Sequence, residues 1–110
     1  MPFFGENGIH AWAQAELSGT PSNRDSYNIS SLDDRGTGRI RFNFSVAAIN
    51  NDFAFCALCG NVTGTTTSAR AINNDETVTT TSFSIRILNT NNTNTVTDDT
   101  LINVIAVSNN

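Results

Sequence analysis

The stretch from Tyr27 to Phe44 alternates apolar and polar residues on both sides of a turn dense in Asp and Gly. Period-two alternation places one face of a strand in a core and the other in water. Gly36 and Gly38, spaced by Thr37, supply the positive-φ positions that a tight reversal needs. Asp33 or Asp34 can cap that turn through its own carboxylate. The spacing therefore predicts a β-hairpin whose second arm buries Ile40, Phe42 and Phe44 and exposes Arg39, Arg41 and Asn43. The rest of the chain reads as strands added to this hairpin.

Helix formers at helical spacing are nearly absent, while Thr and Asn are abundant, as in Asn89-Thr90-Asn91-Asn92-Thr93-Asn94. Thr favours strands and Asn favours turns, so the expected class is all-β. At 110 residues the chain is one domain, able to bury roughly two thirds of its unfolded surface. Its net charge is -4 and its six cations are all Arg, a balance that argues against a general affinity for nucleic acid or anionic membrane. Met1 to Glu6 has no basic region or signal-length apolar run, and no segment reaches the roughly 20 apolar residues of a membrane span. Neither export by an ordinary leader nor membrane insertion is expected.

In chain order, residues 1–8 read as a flexible attachment arm and residues 9–110 as the domain. Ile9, Ala11, Ala13, Ala15 and Leu17 share one face of a strand, with His10, Trp12, Gln14 and Glu16 on the other. The small residues suit close approach of another backbone or sheet. Gly19 to Asn23 breaks that strand. Phe53 to Val62 is the longest apolar run, and both of its faces are expected to be covered. A short strand over Ser68–Ile72, one over Thr79–Leu88 and a closing strand over Leu101–Val107 follow. About seven strands at spacings of about ten residues point to a single antiparallel β-sandwich. Its expected core is Ile40, Phe42, Phe44, Phe53, Phe55, Phe83, Ile85, Ile87, Ile102 and Val104.

Candidate chemistry is thin. Cys56-Ala57-Leu58-Cys59 has CxxC spacing, but zinc needs two more ligands and His10 stands alone. Within a strand the two thiols point to opposite faces, which suits reduced, buried, small apolar side chains. Asp33-Asp34 and Asp98-Asp99 lack the pattern of a calcium loop and read as solvated turns. No nucleophile elbow or spaced catalytic partner is present, so no catalytic residue, metal or cofactor is expected. The N-x-S/T matches at Asn28, Asn43, Asn61 and Asn91 arise readily in a chain this rich in Asn and Thr.

Trp12, then Leu17-Ser18-Gly19-Thr20, then Ser26-Tyr27-Asn28-Ile29-Ser30-Ser31, the turn Asp34-Arg35-Gly36-Thr37-Gly38 and the strand ending Asn43-Phe44 resemble a domain at the carboxy-terminal ends of bacteriophage tail-fibre proteins. Asn51-Asp52-Phe53 and Ile102 to Val107 look like that family's later strands, so the resemblance covers Ile9 to Val107. It implies a small virion-exposed β-domain, commonly a homotrimer at a fibre tip, made in the host bacterial cytoplasm. Host-surface glycan then becomes the expected ligand. Thr65, Thr66, Asn91, Asn92 and Asn94 in the polar loops are the candidate ligand or partner contacts. Phe3, Phe4 and Trp12 are the candidate oligomer contacts, because a monomer would leave them in water. In such fibres a long shaft precedes the domain, whereas only eight residues precede it here. Either the chain is cut from something longer, or a short gene carries the domain alone, which favours the alternative of a head decoration (cement) or collar protein docking on other virion proteins through its arm. An enzyme acting on envelope polysaccharide lacks paired carboxylates on a plausible framework.

Overall fold

The computed structural model describes residues 7–60, 70–90 and 95–109. Two antiparallel sheets pack around one shared core, and the described residues include no helix. The strands are β1 (Asn7–Ser18), β2 (Thr20–Tyr27), β3 (Ile29–Gly36), β4 (Arg39–Phe44), β5 (Ala54–Gly60), β6 (Arg70–Asn74), β7 (Ser82–Asn89), β8 (Thr95–Val96) and β9 (Asp99–Asn109). Sheet one has the order β2-β1-β9-β5. Sheet two has the order β3-β4-β7-β6, with β8 also paired to β7.

The β3–β4 hairpin follows the alternation. Ile40, Phe42 and Phe44 are buried, Arg39, Arg41 and Asn43 point outward, and Leu32 lies opposite Phe42. Gly36 and Gly38 take φ of 123° and 69°, and the Asp34 carboxylate accepts the Gly36 N–H at 3.0 Å. β7 completes the layer, with Phe83 opposite Phe42 and Ile85 opposite Ile40. The core aromatics interlock: Phe42 stacks on Phe83 at 5.2 Å, and Phe44 meets Phe53 at 5.3 Å.

The alanine face of β1 meets another sheet of the same chain, with Ala11, Ala13, Ala15 and Leu17 buried under sheet two. Three expectations change. A bulge near His10 shifts the phase: Ile9 lies opposite Val107 and Ala11 opposite Ala106. In an antiparallel ladder opposed residues share a face. Ile9 therefore turns outward with Val107, while His10 is buried edge-on to Phe44 at 4.6 Å. Gly19 turns the chain without ending the sheet, and Thr20–Tyr27 runs back along β1 as β2. Finally, β5 is an edge strand covered on one face only. Ala54, Cys56 and Leu58 are exposed, and Phe55 is half-buried beside the open gap between β5 and β6.

The two ends of the molecule differ. At one end, here the base, Asn7 lies opposite Asn109. The expected arm thus gives its last two residues to β1, and residues 1–6 lie outside the described residues. At the far end the two hairpin turns are joined by Asp98. Its carboxylate accepts Gly19 N–H at 3.0 Å and Gly38 N–H at 2.8 Å. Expected in a solvated turn, Asp98 is instead a bolt between the sheets.

Candidate recognition surfaces

The arginines show first what this molecule does not offer. On the outer face of sheet two, Arg39 Nε donates to Asp75 Oδ2 and Arg86 Nε to Asp75 Oδ1, each at 2.9 Å, around a carboxylate with no exposed surface. Arg41 holds Asp33 at 2.7 Å and Arg35 holds Glu76 at 2.7 Å. Arg70 pairs with Asp99 at 2.9 Å, and Arg24 pairs with Glu16. Every arginine of the chain is thereby matched to a carboxylate. The expectation that Asp99 sits in a solvated turn fails for the same reason: it is buried against Arg70.

Hydrogen bonds from Arg41 and then Asn43 hold the Asp33 carboxyl below its ordinary range, and Arg35 does the same for Glu76. Groups lowered in this way stabilise the fold above their ordinary values and lose that contribution as pH falls through the folded ones. The melting temperature should therefore hold between neutrality and about pH 5 and fall below about pH 4. Thermal melts across that range check this, and a melting temperature that is flat or rising on acidification would contradict it.

The thiols divide. Cys56 is exposed on the outer face of β5, so the expectation of two buried thiols fails there. Nothing in the sequence marked β5 as an edge strand. Cys59 lies on the inner side, where burial, then a hydrogen bond to Asp99, pushes its pKa up to about 12. Among the described residues no group of three His, Cys, Asp or Glu side chains could hold a metal ion.

Sheet one carries the opposite chemistry on its outer face. Toward the far end this face is polar, with Gln14 Nε2 donating to Asn103 Oδ1 at 3.0 Å and Glu16 paired to Arg24. Toward the base it is apolar. Trp12 lies opposite Tyr27 on one side and Ile105 on the other, Cys56 opposite Ile105, and Ala54 opposite Val107. Trp12 is 37% exposed and Tyr27 55%. Around the β2 edge, Tyr27, Ile9, Val46 and Ile49 line an open groove of about 610 Å³.

That groove is shaped by Asn28, whose φ of 58° lies in the left-handed region. Its amide donates to the His10 carbonyl at 2.9 Å, and its Oδ1 accepts the Val46 N–H at 2.7 Å. Asn tolerates this backbone better than other non-glycine residues. The asparagine of the Asn-Ile-Ser-Ser motif is thus a clamp where β2, β3 and the segment after β4 meet. The position of Asn28 was visible in the motif, but its clamping role was not.

Of the candidate contacts, Trp12 is on the apolar face, while Phe3, Phe4, Thr65, Thr66, Asn91, Asn92 and Asn94 lie outside the described residues. The residues flanking the last five are described. Gly60 lies opposite Leu101 and Arg70 opposite Asn89, while Thr95 also lies opposite Asn89, all at the far end. Segments 61–69 and 91–94 therefore both leave the sheets at the end away from Asn7 and Asn109. Residue 99 to residue 109 of β9 spans about 33 Å at strand rise. No helix among the described residues is long and apolar enough to cross a membrane. No family model matches the chain, and comparison with curated proteins and with solved structures finds no similar one.

Proposed function

We propose that this chain is a non-catalytic recognition domain of the bacteriophage tail-fibre-tip kind. In this reading it is exposed on the virion as a homotrimer and binds a neutral host-surface glycan through segments 61–69 and 91–94. The observation that carries the reading is the polarity of the molecule. Both ends of its described chain meet at the base, and both polar segments leave the far end. A domain anchored at its base presents such segments outward, where recognition is placed on loops held by a rigid scaffold.

The ligand class follows from the charges. With its arginines committed to carboxylates, the chain offers an anionic partner little, whereas Asn and Thr amides and hydroxyls match sugar hydroxyls. The test is binding of the purified chain to a panel of bacterial envelope polysaccharides at low and high salt. Binding should be nearly insensitive to salt, unlike a charge-driven contact. It should fall at least about tenfold, or about 1.4 kcal/mol, when Asn91, Asn92 and Asn94 are together replaced by Ala. Absence of binding across the panel, or binding that the triple variant retains, counts against the reading.

The start of β1 at the base, where Asn7 lies opposite Asn109, favours a second reading, a decoration or collar protein that docks on another virion protein through its N-terminal arm. Labelling of intact particles separates the two: density at fibre tips supports the first, and density over the head or collar the second.

A further inference from the structure

Seven large apolar side chains are exposed among the described residues, and six of them share one surface: Trp12, Tyr27, Val46, Ile49, Leu58 and Val107. Four lie on the outer face of sheet one, and two continue it around the β2 edge through the Tyr27 groove. From exposures of 37% to 68%, these six leave on the order of 600 Å² of side-chain surface in water. That is the upper end of what a soluble monomer shows as its largest patch. None of the six, nor Ile9, Ala54, Cys56 or Ile105 between them, carries a charge.

We propose that this basal face of sheet one is a self-association surface that packs against a second copy of this chain. Two observations select a second copy over a different partner. Charge enters only at its border, where Asp25 lies opposite Gln14 and two residues from Tyr27, so the interior of the surface encodes no electrostatic choice of a foreign partner. Two such faces together bury about 1,200 Å², the lower end of a specific interface, without any further component.

The strand edges point the same way. β2 carries Pro21, Arg24, Asp25 and a register shift, and β3 carries Asp33, Asp34 and Arg35. β6 is only five residues long. These are the devices that keep an edge from pairing with a neighbour. β5, Ala-Phe-Cys-Ala-Leu-Cys-Gly, has none of them, and its outer side pairs with no strand among the described residues. The unguarded edge borders the apolar face. One interface on that face would cover both.

This inference stands apart from the glycan reading, and its test can fail separately. Light scattering of the purified chain at micromolar concentration should give a multiple of 11.8 kDa. Leu58→Glu and, separately, Trp12→Glu should each lower the mass to one chain. Thr20→Glu, at the polar far end, should leave it unchanged. Cys56, inside the patch, supplies a local readout: its alkylation should be slow in the assembled wild type and at least about tenfold faster in Leu58→Glu. Circular dichroism matching the wild type shows that the variants still fold, and the thiol rate in the unmutated chain needs no variant. A wild-type monomer with rapidly alkylated Cys56, or variants that remain assembled, overturns the proposal. A mass of two chains keeps this surface and removes the homotrimer. Loss of polysaccharide binding with assembly intact removes the glycan reading alone.

Discussion

Phe42→Ala should lower stability by about 3–5 kcal/mol, the range for emptying a fully enclosed aromatic site. Phe42 has no exposed surface and lies between Leu32 and Phe83 across its two neighbouring strands. Its ring stacks on Phe83 at 5.2 Å, and Phe83 in turn packs on Phe55 at 4.5 Å. Removing it takes away the ring that backs Phe83, the shared member of a cluster that joins the two sheets. A domain of this size has about 5–15 kcal/mol in all, so the melting temperature should fall by roughly 15–25 °C. Phe42→Leu, which retains most of the volume, should cost about 1–1.5 kcal/mol. Melts of both variants at one protein concentration decide the matter. A Phe42→Ala chain melting within a few degrees of wild type would mean that the stack contributes little.

Gly38→Ala should be nearly as severe, for a different reason. A Cβ there would sit 2.6 Å from the Thr97 nitrogen and 2.7 Å from its carbonyl oxygen, backbone atoms that no side-chain rotation can move. The position also has φ of 69°, which costs a non-glycine residue about 1–2 kcal/mol. Forced separation adds about 1–3 kcal/mol. It also strains the Gly38 N–H bond to Asp98 and the Ile87–Gly38 backbone bond at 2.8 Å. Gly19→Ala is the matched control. It shares the positive φ, but nothing lies within 4 Å of its Cβ, so only the conformational part should appear. Equal losses at both sites would show that the contact with Thr97 gives way easily.

How much of this was legible in the sequence depends on how local the cause is. The β3–β4 hairpin was, because alternation, turn glycines and the Asp34 cap all lie within eighteen consecutive residues. The nine core residues from Ile40 to Val104 that proved buried follow from the same period-two reading. Where a single residue breaks the period, that reading slips: the bulge at His10 exchanged the faces of Ile9 and His10. Topology was harder still. Nothing within Phe53 to Gly60 says that β5 lies at an edge, so its outer face was expected to be covered and Cys56 buried. Asp98 looked like one more acid in a polar loop, since its partners Gly19 and Gly38 are 79 and 60 residues away. The apolar basal surface was legible only as Trp12, for its other members come from four separate segments.

The position of β9 has a consequence for how this molecule comes into being. Of the strands described it is the last to leave the ribosome, yet it lies in the middle of sheet one, between β1, the first of them, and β5. The β3–β4 hairpin can form as soon as it emerges, but β1 and β5 have no common neighbour among the described strands until β9 arrives. The Asp98 bolt arrives just before it. Closing so long a loop is entropically costly before any contact rewards it, and such topologies fold slowly. A nascent chain must therefore carry its unguarded β5 and its alanine-faced β1 open until β9 has emerged. A chain shortened by ten residues loses the strand that joins the first half of the protein to the second, and what remains should be a substrate for chaperones and proteases rather than a smaller version of the fold.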